Sequence, residues 1–143
     1  MCGIAGILDF QGVADSGPVL ERMVDMLRPR GPDGTGCMID GPIALGHARL
    51  SIIDLETGDQ PIRNTDGSVW IVFNGEIFNY RELRKDLEAR GYRFYTRTDT
   101  EVIVHLYDEW GDAFVDHLNG QFAIALWDSR RQRLVLVRDR VGI

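Results

Sequence analysis

Apolar positions recur along this chain with two different periods, and each change of period marks an element boundary. Gly3 to Leu8 is a short apolar run ending at Asp9, which predicts a buried strand. Val19, Leu20, Met23, Val24 and Leu27 repeat at helical spacing. That helix must stop before Pro29, because the residue preceding a proline is pushed out of the α region. Arg30-Gly31-Pro32-Asp33-Gly34 is a turn cluster, and Cys37 follows in the same Gly-rich turn region. Ile43 to Leu45 and Ser68 to Phe73 are rich in β-branched and aromatic types and predict strands.

Two helices with recognisable starts come next. Asn79 is placed to cap the first, with Glu82 three residues on, an apolar face of Tyr80, Leu83 and Leu87, and a stop at Gly91. Thr98 with Glu101 makes a capping box ahead of Val102, Ile103, Leu106, Tyr107 and Trp110. Gln121 to Trp127 and Leu134 to Val137 are apolar on both faces, and the polar turn Asp128 to Arg133 joins them. This predicts a hairpin buried on both sides. Amphipathic helices outside such a sheet give layers in the order helix, sheet, sheet, helix, an α+β architecture. Residues 1–143 show no linker or repeat and read as one domain. The last five residues follow a strand with no cap or polar tail, as expected of a piece cut from a longer chain.

Composition narrows the function classes. With 44% hydrophobic and 27% charged residues the chain is globular. A net charge of −6 with no basic block argues against a nucleic-acid partner. No run of 18 apolar residues predicts a membrane span, and no secretory signal is visible. Two cysteines do not make a disulfide framework, so a reducing cytoplasm fits.

The chemistry begins at Cys2. Removal of Met1 leaves a thiol and a free α-amine on one residue. An α-amine has a pKa of about 7.7–8.0 and a free thiol about 8.5, so passing the proton between them costs on the order of 1 kcal/mol. Such a residue carries its own general base, as N-terminal threonine nucleophiles do. Asn74-Gly75 has two readings. It is a common two-residue hairpin turn, and it is also a pair of donors, a side-chain amide and a backbone N–H, suited to a carbonyl oxygen that gains negative charge in acyl transfer. Arg49 stands between apolar residues. Its planar fork suits a carboxylate, unless it only meets a surface acid. Glu76 follows the Asn-Gly pair, and Asp99 sits at a helix start, where the dipole alone would favour it. Two carboxylates and an arginine around a thiol also suit a zwitterionic α-amino acid. His47, His105 and His117 lack metal-ligand spacing, so no metal site is expected. His105 is placed at the edge of its helix's packed face. His47 stays open as a base in a Cys–His enzyme.

These residues carry a family resemblance. The opening Met1-Cys2-Gly3-Ile4-Ala5-Gly6 resembles the start of class II glutamine amidotransferases, which are N-terminal-nucleophile hydrolases. Arg30 to Gly34, Gly46 to Asp54, Gly58 to Pro61, Phe73 to Tyr80 and Thr98 to Val102 are similar to the glutaminase domain of glutamine-hydrolysing asparagine synthetases. Asn119 to Ala125 and Arg138 to Arg140 match as well.

The resemblance implies a four-layer αββα sandwich of two mainly antiparallel sheets and hydrolysis of the side-chain amide of L-glutamine. It makes Cys2 the nucleophile and Asn74 with Gly75 the oxyanion hole. Arg49 would hold the substrate carboxylate, and Glu76 and Asp99 its ammonium. The backbone around Leu50, Ile52 and Ile53 would line the pocket. It implies no cofactor in this domain, with ATP and magnesium confined to a covalently linked synthetase domain that uses the ammonia. Asparagine synthesis from aspartate is the first reading of the parent. Another acceptor, in cell-surface or peptide modification, and a non-catalytic domain of the same fold are the alternatives. A homo-oligomer is left open.

Overall fold

Of the 143 residues, the computed structural model describes 2–11, 16–51 and 57–142. β3 (Ile43–Arg49) is buried at all seven positions and is the centre of the first sheet. It pairs antiparallel with β1 (Gly3–Leu8) on one side and β2 (Gly34–Asp40) on the other. Its alternate side chains serve two interfaces, as the period of a strand requires. Ala44 and Ala48 face α1 (Ser16–Met26), where they meet Leu20 and Val24. Gly46 lies between them, and a Cβ there would come within 2.4 Å of Val24 Cγ2. Ile43 and Leu45 point the other way, into the interior between the sheets, against Val72, Ala125 and Trp127.

The second sheet has the order β4 (Ile62–Arg63), β5 (Val69–Ile77), β6 (Gly120–Asp128), β7 (Arg133–Arg138), with every pair antiparallel. On its outer face Ile71, Phe73, Ile124 and Leu126 form the largest apolar cluster with α3 (Thr100–Trp110) and with Leu87 of α2 (Tyr80–Ala89). A 3₁₀ turn, Gly111–His117, adds Phe114. The layers are therefore helix, sheet, sheet, helix. Trp127 Nε1 donates to Asp40 Oδ2 at 2.8 Å, tying β6 to β2 across the interior.

Several local expectations are corrected. Of the hairpin expected to be buried on both sides, β6 is buried over most of its length, but β7 is an edge strand with Leu136 70% exposed; β1, expected as a buried strand, is also an edge strand and is only partly buried. An edge strand has no second neighbour to cover it, and the apolar content of these two segments did not reveal that. Cys37 lies within β2 and is exposed, not in a turn. Asn79 stands before α2 but its side chain caps nothing. Its Nδ2 donates to the His117 carbonyl and its Oδ1 accepts from the Asn119 N–H, which locks the entry to β6 instead. His105 is wholly buried rather than at an edge. Its ring lies 4.7 Å from that of Phe94 and 5.3 Å from that of Tyr92.

Candidate active site

The register of β1 on β3 pairs Gly3 with Ala48, which carries Cys2 to the end of the ladder beside Arg49 and Leu50. There the backbone of Leu50 brackets the thiol. Its N–H donates to Cys2 Sγ at 3.3 Å, and the thiol lies 3.6 Å from the Leu50 carbonyl. The turn cluster Arg30 to Gly34 supports this corner. Arg30 Nε donates to the Cys2 carbonyl, Asp33 N–H donates to the Arg49 carbonyl, and Asp33 Oδ2 accepts from Ser51 N–H. Gly31 lies flat on β3, where a Cβ would stand 2.2 Å from the Ala48 oxygen. That contact explains a glycine at this point better than turn propensity does.

Asn74 and Gly75 do not form a hairpin turn. β5 runs straight through them, with Asn74 opposite Ala123 and Gly75 opposite Phe122 of β6. Gly75 is needed for close approach, since a Cβ would stand 2.1 Å from the Gln121 oxygen and 2.7 Å from Phe122 Cα. β4 covers only Trp70 and Ile71, so beyond them β5 has an open edge. Successive backbone N–H groups of a strand point to opposite edges, so those of Phe73, Gly75 and Ile77 share this one. Phe73 N–H donates to Gln60 Oε1 at 2.7 Å and Ile77 N–H to Asp99 Oδ2 at 2.9 Å. Between them, among the described residues, no side chain accepts from the Gly75 N–H.

A cleft of about 120 Å³ opens on this edge. Cys2, Arg49 and Leu50 line it from the first sheet, and Asn74, Gly75 and Glu76 from the second. Asp99 lines it from the start of α3. All seven sequence-predicted site residues within the described chain therefore meet in one place. Ile52 and Ile53, and the fate of Met1, lie outside the described residues. Arg49 is 7% exposed and ion-pairs with Asp59. Burial, aided by the negative charge of Glu76, pushes the Asp99 carboxyl up to about 6 against the Ile77 N–H, which holds it down. A buried carboxylate raised in this way is poised to accept a cation.

Sequence reasoning missed Gln60, Thr98 and Thr100, which also line the cleft. Gln60 lies in the Gly58 to Pro61 stretch that carries the family resemblance, but nothing local assigned it a role. His47, the alternative base, does not line the cleft. It faces the interior at 1% exposure, and burial drives its pKa down to about 4. The Phe73 backbone pulls weakly the other way, but neither ring nitrogen makes a hydrogen bond of acceptable geometry. Among the described residues no three His, Cys, Asp or Glu side chains converge as metal ligands, and no helix is long and apolar enough to cross a membrane.

Known proteins resemble this chain in sequence and in fold. Residues 1–143 match the glutamine amidotransferase domain family. Asparagine synthetase [glutamine-hydrolyzing] 3 of Bacillus subtilis (strain 168) is 44% identical over 146 residues, covering 100% of this chain and 24% of that protein. Asparagine synthetase [glutamine-hydrolyzing] 2 of Oryza sativa subsp. japonica is 44% identical over 147 residues, again with 100% and 24% covered. The chain thus spans about a quarter of the length of these relatives. Among solved structures, the glutamine phosphoribosylpyrophosphate amidotransferase from B. subtilis complexed with ADP and GMP superposes with a TM-score of 0.58. It is 25% identical, with 73% of this chain and 24% of that chain covered. The fold is that of the N-terminal-nucleophile hydrolases, and this chain belongs to the glutamine amidotransferase domain family.

Proposed function

We propose that this domain hydrolyses the side-chain amide of L-glutamine through a thioester on Cys2 and that the intact protein uses the ammonia to make asparagine from aspartate. The observation that carries the reading is the meeting of the Cys2 thiol with the open-edge N–H of Gly75 and the buried charges of Arg49 and Asp99 in one cleft. Each group has a task that the chemistry requires. Arg49 takes the α-carboxylate of glutamine, and Asp99 with Glu76 takes the α-ammonium. This leaves the side-chain amide directed at the thiol. Cys2 Sγ attacks the amide carbon while its own α-amine, freed by loss of Met1, accepts the thiol proton. The oxygen becomes negative and is held by the Asn74 side-chain amide and the Gly75 N–H. The amine returns the proton to the leaving nitrogen and ammonia departs. Water then attacks the thioester, releasing glutamate and restoring the thiol.

Residues 1–143 are the glutaminase unit on this reading. A linked synthetase unit, in keeping with the greater length of the relatives, would bind ATP and magnesium and consume the ammonia. A reducing cytoplasm suits a mechanism that depends on a free thiol. The test is ammonia release from L-glutamine by the parent protein and by Cys2→Ala. The parent should release glutamate and ammonia in equal amounts, and Cys2→Ala should release neither. Equal rates in the two proteins would overturn the assignment.

A further inference from the structure

The register of the second sheet continues past its last formal pair. Ile62 faces Ile71, so residue 60 falls opposite Phe73. Pro61 stands between, and no backbone ladder forms there. The side chain of Gln60 takes the place of the missing strand. Its Oε1 accepts from the Phe73 N–H at 2.7 Å and its Nε2 donates to Thr100 Oγ1 at 3.3 Å. The side chain is held in position from behind. Gln60 is 8% exposed, and its carbonyl is so close to β2 that a Cβ on Gly36 would stand 2.0 Å from it.

The two ends of this amide touch the two halves of the candidate site. Phe73 immediately precedes Asn74 and Gly75, and Thr100 immediately follows Asp99. We propose that Gln60 is a positioning residue for glutamine hydrolysis, a brace that sets the Gly75 N–H and the Asp99 carboxylate at the spacing of the two ends of one glutamine. The inference rests on the function proposed above. With Gln60 and Asp99 engaging the outer two of the three edge N–H groups, a carbonyl oxygen arriving at this edge meets the Gly75 N–H. Without Gln60 the Phe73 N–H becomes a competing donor two residues away, and β5 keeps only the Ile77–Asp99 hydrogen bond and its apolar packing as ties to α3.

Two variants separate the two ends of the brace. Gln60→Leu removes both bonds and is expected to lower kcat by about tenfold to a hundredfold, the range that a misplacement of about 1 Å produces, and to raise KM as well. Thr100→Val removes only the bond towards α3. It is expected to raise KM severalfold with kcat kept within about twofold, since the edge facing the oxyanion stays capped. The readout is steady-state glutamate release by the intact protein, with a thermal melt of each variant. A parent protein that does not hydrolyse glutamine sinks the functional reading itself. An active parent with Gln60→Leu matching its kcat and KM sinks the brace alone. Should Gln60→Leu not fold, Thr100→Val decides: raised KM at parental kcat supports the brace, and unchanged KM overturns it.

Discussion

Arg49 Nη1 donates to Asp59 Oδ1 at 2.9 Å, although the arginine side chain is 9% exposed and the aspartate side chain 83%. The buried partner lines the cleft and the exposed one does not. Asp59 is thus an anion in contact with the cation assigned to the substrate carboxylate. An ion pair with so exposed a partner contributes about 0–1 kcal/mol, so glutamine can compete with it. Asp59→Asn should lower KM for glutamine severalfold at low salt, by removing a competing charge, and leave thermal stability nearly unchanged. Arg49→Lys should raise KM strongly, because an ammonium cannot supply paired in-plane donors. KM measured for both variants at two ionic strengths checks this. A KM for Asp59→Asn above the parent's would show that Asp59 orients the arginine rather than competing for it.

The raised carboxyl of Asp99 gives a pH signature. Its folded pKa of about 6 lies above the ordinary aspartate value, so the folded state binds the extra proton between about pH 4 and 6. Stability from this group is full below about pH 4 and falls as pH rises to about 6, by on the order of 2–3 kcal/mol. Binding runs the other way, because the ammonium needs the ionised form. KM for glutamine should therefore rise as pH drops below about 6. Asp99→Asn should melt at a higher temperature than the parent at pH 7, bind glutamine weakly, and lose the pH dependence of KM. A parent KM that stays flat from pH 5 to 8 counts against the ammonium role.

Asn74 and Gly75 should fail in different ways. Asn74→Ala removes one side-chain donor and is expected to lower kcat by about 10²–10³ while leaving the fold intact. Gly75→Ala places a Cβ 2.1 Å from the Gln121 oxygen, so β5 and β6 must separate. That variant should lose stability, by about 1–3 kcal/mol or more. Melting curves and kcat on the same preparations distinguish the two.

Glu101 is fully buried and accepts from the N–H groups of Tyr95 and Thr96, from the Thr96 hydroxyl and from His105. Burial alone would raise its pKa, but these donors outweigh it and hold the carboxyl below the ordinary glutamate range. Its contribution is present above about pH 4.5 and is lost as pH falls through the lowered value. Glu101→Gln should cost about 2 kcal/mol at pH 7, in the range of a charge-assisted hydrogen bond, and less at pH 3. Denaturant titrations at the two pH values decide it, and an equal cost at both would remove the charge from the explanation.

The α-amine of Cys2 can be tested without mutation. Intact mass reports whether Met1 is present, and active preparations should begin at Cys2. A homogeneous sample that retains Met1 at full glutaminase activity would require another base. His47 is poorly placed for that, being outside the cleft with its pKa near 4.

Much of this protein was legible in one dimension. Strand β1 has the bounds its apolar run predicts, and the stripes from Val19 and from Thr98 became α1 and α3; α1 buries a single face, whereas α3 is buried continuously from Thr100 to Tyr107. Cys2 stood out by its place behind Met1, Arg49 and Asn74-Gly75 as polar groups between apolar neighbours, and Glu76 and Asp99 as carboxylates near element ends, while the family resemblance gave them one task. Tertiary structure decided the rest. Asn74-Gly75 has the composition of a turn, and only pairing with Ala123 and Phe122 holds it in a strand, since long-range ladder bonds outweigh a local turn preference. Cys37 and the edge exposure of Leu136 depend on which strands have neighbours, which local composition does not encode. Gln60 stayed hidden because its role exists only once β4 stops two residues short and α3 arrives beside it. A hydrogen bond spanning 40 residues leaves no local pattern to read.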